Sequence, residues 1–67
     1  MNEIIFVVNE SLDGGYEITA PGHSIFTQCE TYEEIKETIK DAVECHFFEE
    51  KPAFAKLHFT RNEILAL

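Results

Sequence analysis

Five apolar residues stand in a row near the start of the chain, Ile4-Ile5-Phe6-Val7-Val8, and all are β-branched or aromatic. The run is short and rich in strand formers, so residues 3–9 are expected to form a strand buried on both faces. Ile4, Phe6 and Val8 then point one way, and Ile5 and Val7 the other. Leu12-Asp13-Gly14-Gly15 closes this strand with a turn, because glycine reaches positive φ without steric cost. From Tyr16 to Ala20 the pattern alternates, with Tyr16, Ile18 and Ala20 on one face and Glu17 and Thr19 on the other. That is a half-buried strand, which makes a hairpin with the first. Pro21-Gly22 is a second turn. Ser24 to Cys29 reads as a third strand, with Ile25, Thr27 and Cys29 on one face and Phe26 and Gln28 on the other.

The period then changes from two to between three and four. Thr31 stands three residues before Glu34, a capping box in which the Glu34 carboxylate reaches back to the cap N–H. Glu33 and Glu34 also suit the positive end of a helix dipole. Tyr32, Ile35, Ile39, Ala42, Val43, His46 and Phe47 recur as one apolar stripe. Glu37, Lys40, Asp41 and Glu44 face water, with Lys40 and Glu44 spaced to pair one turn apart. Pro52 ends the helical stretch. Residues 55–61 alternate again, Leu57 and Phe59 inward and Lys56, His58 and Thr60 outward. The tail Ile64-Leu65-Ala66-Leu67 is too apolar to hang in water and is expected to extend the strand or cover a neighbouring molecule.

The order is therefore β-β-β-α-β, an α+β fold in a single domain over residues 1–67, with the helix packed on one face of an antiparallel sheet. One helix covers only one face. Ile5 and Val7, or their opposite set, are then left open, with Phe26 nearby. An exposed apolar sheet face marks an interaction site. Ile5, Val7, Phe26, Ile64 and Leu65 are accordingly the expected self-association residues, and a symmetric homodimer is the expected state.

Charge narrows the choice of partner. The chain has 67 residues, with 13 acidic side chains, five basic ones and a net charge of −8. The five cations, Lys36, Lys40, Lys51, Lys56 and Arg61, are scattered among carboxylates, whereas phosphate binding needs them clustered. Nucleic acid and anionic membranes are disfavoured, and a basic protein surface is the natural complement. The acidic set Glu33, Glu37, Asp41 and Glu44 is the candidate docking surface for it. The start, Met1-Asn2-Glu3, lacks the basic region of a signal peptide, and the apolar run after it is far too short to cross a membrane, so a cytoplasmic location is expected. Cys29 and Cys45 do not make a disulfide framework and read as inert thiols.

Catalytic chemistry finds little support in the sequence. A two-metal nuclease needs carboxylates that converge on cations roughly 3.5–4 Å apart. The candidates Asp13, Glu17 and Glu30 fall in turns and on solvent faces. Cys45-His46, with Cys29 and His23, lacks the C-x2–4-C or H-x3–5-H spacing of structural zinc sites. No oxyanion-binding loop or orienting third residue completes a Cys-His nucleophile. His23, in a turn, and His58, on an outward strand face, read as surface histidines. Tyr16 and Phe26 read either as partner anchors or as residues buried under the helix. No enzyme activity, cofactor or metal is expected.

Asp13-Gly14-Gly15-Tyr16, followed by Phe26-Thr27-Gln28-x-Glu30-Thr31-Tyr32-Glu33-Glu34-Ile35, resembles the HicB family of antitoxin domains. The likeness covers residues 3 to about 50 well and the last strand loosely. Cys29 stands where that family usually has Gly, and Pro21-Gly22 sits two residues earlier than the family's Pro-Gly segment. The resemblance implies a partial ribonuclease-H-like fold and a role in silencing a small basic RNA-cleaving toxin of the HicA type. Full-length members of that family add a C-terminal DNA-binding segment. Nothing like it follows the last strand before Leu67, so this chain alone is not expected to bind nucleic acid directly.

Overall fold

The computed structural model describes residues 2–61 and 63–67. The β-branched run forms β1 (Glu3–Glu10), the Gly14 turn leads to β2 (Tyr16–Ala20), and the Pro21-Gly22 turn leads to β3 (Ile25–Cys29). A single 3-10 turn (Tyr32–Glu34) opens into α1 (Ile35–His46), and β4 (Phe54–Thr60) completes the fold. This is the expected α+β order, with α1 against one face of the sheet.

The spatial order is β3-β2-β1-β4. β1 and β2 pair antiparallel, as do β2 and β3. β4 differs from the expected antiparallel arrangement. It runs parallel to β1 over seven residue pairs, from Glu3 with Phe54 to Asn9 with Thr60, so the sheet is mixed. The reason lies in the connection. α1 and the loop after it return the chain to the starting end of β1, as a parallel crossover requires. The carbonyl of Asn2 accepts from the N–H groups of both Ala53 and Phe54, each at 2.9 Å, which pins that end.

The first turn is built as its glycines predict. Gly14 has φ +101°, and its N–H donates to the Ser11 carbonyl at 3.0 Å. The capping box also forms. The Glu34 carboxylate accepts from the Thr31 N–H at 3.0 Å, the Thr31 hydroxyl at 3.1 Å and the Glu30 N–H at 3.3 Å. These bonds to its ionised form hold Glu34 below the usual carboxylate value, the Thr31 N–H contributing most.

The core is Ile4, Phe6, Val8, Ile18, Ala20, Ile25, Ile35 and Ile39, one alternate set from each of the first three strands and two turns of α1. Ala42, Val43, Phe47 and Leu57 pack against it. The expectation that β1 is buried on both faces is corrected here. Ile4 is 1% exposed and its neighbour Ile5 44%, because α1 packs on the face that Ile4 shares and, among the described residues, no element covers the other. The expected Lys40–Glu44 pair is also replaced. Lys51 Nζ meets Glu44 at 2.6 Å and Lys40 reaches Glu37 at 3.9 Å, since the loop before Pro52 brings Lys51 back to the end of α1. Among the described residues, no helix is long and apolar enough to cross a membrane.

Candidate functional site

Two surfaces of opposite character flank the sheet. The first is the outer side of α1. Glu33, Glu37, Asp41 and Glu44 are spaced four, four and three apart, so they line one helical stripe about 17 Å long. All four are exposed. Lys40 and Lys51 touch Glu37 and Glu44, whereas Glu33 and Asp41 have no ion-pair partner among the described residues. The stripe starts at the capping box, so the same local sequence signal that begins the helix also aims the carboxylates outward.

The second surface is the sheet face away from α1. Strand register sets its composition. Phe26 pairs with Thr19, Thr19 with Val7, and Val7 with His58, one row across all four strands. Ile5 beside Lys56, and Glu3 beside Phe54, make the next rows along β1 and β4. Phe26 and Phe54 are well exposed, and Val7 is half-buried. The expected open-face residues Ile5, Val7 and Phe26 therefore lie together, and the sequence reading missed Phe54. Its parity was available, because it stands two residues before Lys56, on the outward set. Ile64 and Leu65 lie in the tail beyond β4 and are exposed, neither extending the strand nor packed on the body of the molecule.

The candidate catalytic and metal-binding side chains separate into two groups. Asp13, Glu17 and Glu30 do line one shallow groove of about 500 Å³ at the hairpin end, with Tyr16 and Gln28. All three carboxylates are exposed. His23 and His46 are brought near each other, ring centroids 6.5 Å apart, with Phe47 against both. Cys45 lies beside His46 in the groove between β3 and α1. Cys29 is apart from Cys45 and lines the carboxylate groove instead, its thiol donating to the Thr31 carbonyl at 3.5 Å. Burial pushes the Cys29 thiol up, the Glu34 carboxylate adds to this, and the Thr38 hydroxyl opposes it. Cys45, expected to pack as an inert thiol, is instead exposed on α1. Among the described residues, no group of three or more His, Cys, Asp or Glu side chains is arranged to hold a metal ion.

Tyr16 is neither a free anchor nor fully buried. Its ring meets Tyr32 edge-on at 6.3 Å, and Tyr32 stacks on Phe59 at 6.0 Å. The Tyr16 hydroxyl donates to Glu10 at 3.4 Å, and partial burial together with that carboxylate raises its pKa. This ladder holds Phe59 on the helix side of the sheet although it remains half exposed. His58 lies on the open face as its parity predicts.

Two curated relatives are similar to the chain along much of its length. One, a UPF0150 protein of Thermotoga maritima, is 46% identical over 65 residues, covering 97% of this chain and 93% of the relative. The other, a UPF0150 protein of Archaeoglobus fulgidus, is 60% identical over 50 residues, covering 73% and 74%. No family model matches the chain. No solved structure matches it significantly.

Proposed function

The chain belongs to the UPF0150 family, and from that premise we propose that it is a non-catalytic protein-binding module of the HicB antitoxin type. Its partner would be a small basic RNA-cleaving toxin of the HicA type. The observation that carries this reading is the exposed acidic stripe Glu33, Glu37, Asp41 and Glu44, on a helix whose other side is committed to the core. The resemblance of Asp13-Gly14-Gly15-Tyr16 and Thr31-Tyr32-Glu33-Glu34 to HicB domains supports it.

The mechanism is steric and electrostatic. A surface rich in carboxylates attracts the cationic groups a ribonuclease uses to hold RNA, and speeds encounter. Once docked, α1 occupies the place of the phosphate backbone. No bond is made or broken by this chain, and no cofactor takes part.

The test is a titration of the purified chain into a purified HicA-type toxin from the same genome, following RNA cleavage and heat of binding. Cleavage is expected to stop at stoichiometric chain. Reversing two charges, Glu37→Lys with Asp41→Lys, is expected to weaken binding by roughly tenfold or more, mainly through the association rate. Cleavage that continues at saturating chain removes the reading.

A second reading is favoured by the open sheet face and the exposed tail. The chain would then be a homodimeric adaptor with no toxin partner, its apolar residues serving self-association alone.

A further inference from the structure

We infer that two copies of this chain stack open sheet face against open sheet face, burying Ile5, Val7, Phe26 and Phe54 of each in a two-sheet core. This gives the homodimer of the second reading its interface, and it stands whether or not a toxin binds the helix.

The first ground is layer structure. β1 carries five apolar residues in a row and pairs parallel with β4. A near-continuous apolar run is the pattern of a strand covered on both faces. Here α1 covers one face, and the other presents two exposed phenylalanines and Ile5 around Val7. Two sheets packed about 10 Å apart is the ordinary way to bury such faces.

The second ground is charge, and it selects a second copy over a basic protein as the occupant. The chain carries −8 overall, so two copies repel through most of their surfaces. Residues 33–44 of the helical stretch hold five carboxylates against two lysines. The open face is different. Its charged positions are Glu3 and Glu17 against Lys56, with His58 beside Val7. Opposite signs on the one face let it complement itself under two-fold symmetry, with Ile5 and Val7 on an inner strand and Phe26 and Phe54 on the two edge strands. A cationic toxin would find its complement on α1 instead.

The third ground is area. Four strands about 4.8 Å apart and five to eight residues long give a footprint of roughly 400 Å² per copy. With side-chain relief a pair buries on the order of 1,000 Å², the lower bound for a specific interface. Ile64, Leu65 and Leu67, which follow the edge strand β4, are almost wholly exposed in the monomer and are free to add contact area.

Sedimentation velocity of the full chain over a dilution series, with a matching series of ¹⁵N–¹H amide spectra, tests the inference. A reversible dimer is expected, with the amides of residues 5, 7, 19 and 26 shifting on dilution. Ile5→Glu with Phe26→Glu, both at exposed positions, is expected to weaken the dimer by roughly 100-fold or more while leaving the circular dichroism unchanged. Should that variant fail to fold, the wild-type amide shifts decide alone. Glu37→Lys with Asp41→Lys is expected to remain dimeric, which separates this inference from the toxin reading. A chain that is monomeric at millimolar concentration, whether closed by its own tail or open to a different protein, overturns it. So do dilution shifts confined to α1 or to the edge of β3.

Discussion

Ile4 and Ile5 are the same residue at successive positions of one strand, yet Ile4 is sealed under α1 and Ile5 is open to water. Nothing local separates them. Both are β-branched, both favour the strand, and either parity of β1 would bury as well as the other. The difference comes from elsewhere in the chain, because Ile18, Ile25, Ile35 and Ile39 all gather on the side of Ile4. Alternation tells which residues share a face. The number of layers available tells which face is covered, and a chain with one helix can cover only one.

The largest expected effect tests that contrast directly. Ile4→Ala removes buried carbons from the core and is expected to cost about 2–5 kcal/mol, with Phe6→Ala at about 3–5. In a domain this small either loss takes much of the total stability. Ile5→Ala, measured at concentrations where the chain is monomeric, is expected to cost under about 1 kcal/mol, in line with exposed sites. Urea unfolding of the three variants side by side gives the answer. If Ile5→Ala in dilute solution matches Ile4→Ala, the second face is sealed within the monomer, and the contrast on which the dimer rests is gone.

A smaller loss is expected where the two faces are set in register. Gly14 holds φ +101° in the turn that joins β1 to β2. That turn fixes Val8 opposite Ile18 and Val7 opposite Thr19. A slip of one residue would send the core set to the open face and the open set to the core. Gly14→Ala meets no steric neighbour, so its cost is conformational alone, about 1–2 kcal/mol. It should lower the unfolding midpoint and leave the slope against urea unchanged, since the folded state keeps its register. An altered slope would mean that the pairing itself had shifted.

Much of this architecture was legible in the residues. The run at Ile4, the turns at Gly14 and Gly22, and the box from Thr31 to Glu34 each carry a strong local signal, and each formed where its signal lies. The direction of β4 was not legible. Alternation over residues 55–61 is the same whether a strand runs up or down, and only the path of the chain after α1 decides it. The ladder Tyr16–Tyr32–Phe59 and the pair His23–His46 were hidden for a related reason. Their members are brought together by the crossover and the sheet order, which no spacing along the chain encodes. The acidic stripe was legible because a helix places residues four apart on one side by itself. The open face was legible only in part. Its β1 members followed from parity, and Phe54 shares the parity of Lys56, but only the parallel register sets it beside Glu3.

The smallest predicted effect belongs wholly to the covered side, and it separates the two faces by pH. Glu34 anchors the start of α1 through bonds from Thr31 and Glu30, which hold its carboxyl below the ordinary value of 4.5. A carboxylate depressed on folding stabilises the native state fully above its unfolded value, and that contribution is lost as pH falls through the lower folded value. Wild-type stability should therefore decline on acidification below about pH 4.5. Glu34→Gln keeps an oxygen to accept one cap N–H but loses the charge. It should be slightly less stable at neutral pH, and the gap to wild type should stay level above pH 4.5 and narrow below it. Urea midpoints of both chains from pH 3 to 7 measure this. Dimer dissociation, read above pH 4.5 at matched concentration, should not differ between the two chains, because the bonds of the cap run to Glu30 and Thr31 and to none of Ile5, Val7, Phe26 or Phe54. A gap that widens with acid would show that Glu34 is not held ionised by its cap. A change in dimer affinity at neutral pH would show that the helix start communicates with the far side of the sheet, and the two faces would then have to be treated as one surface.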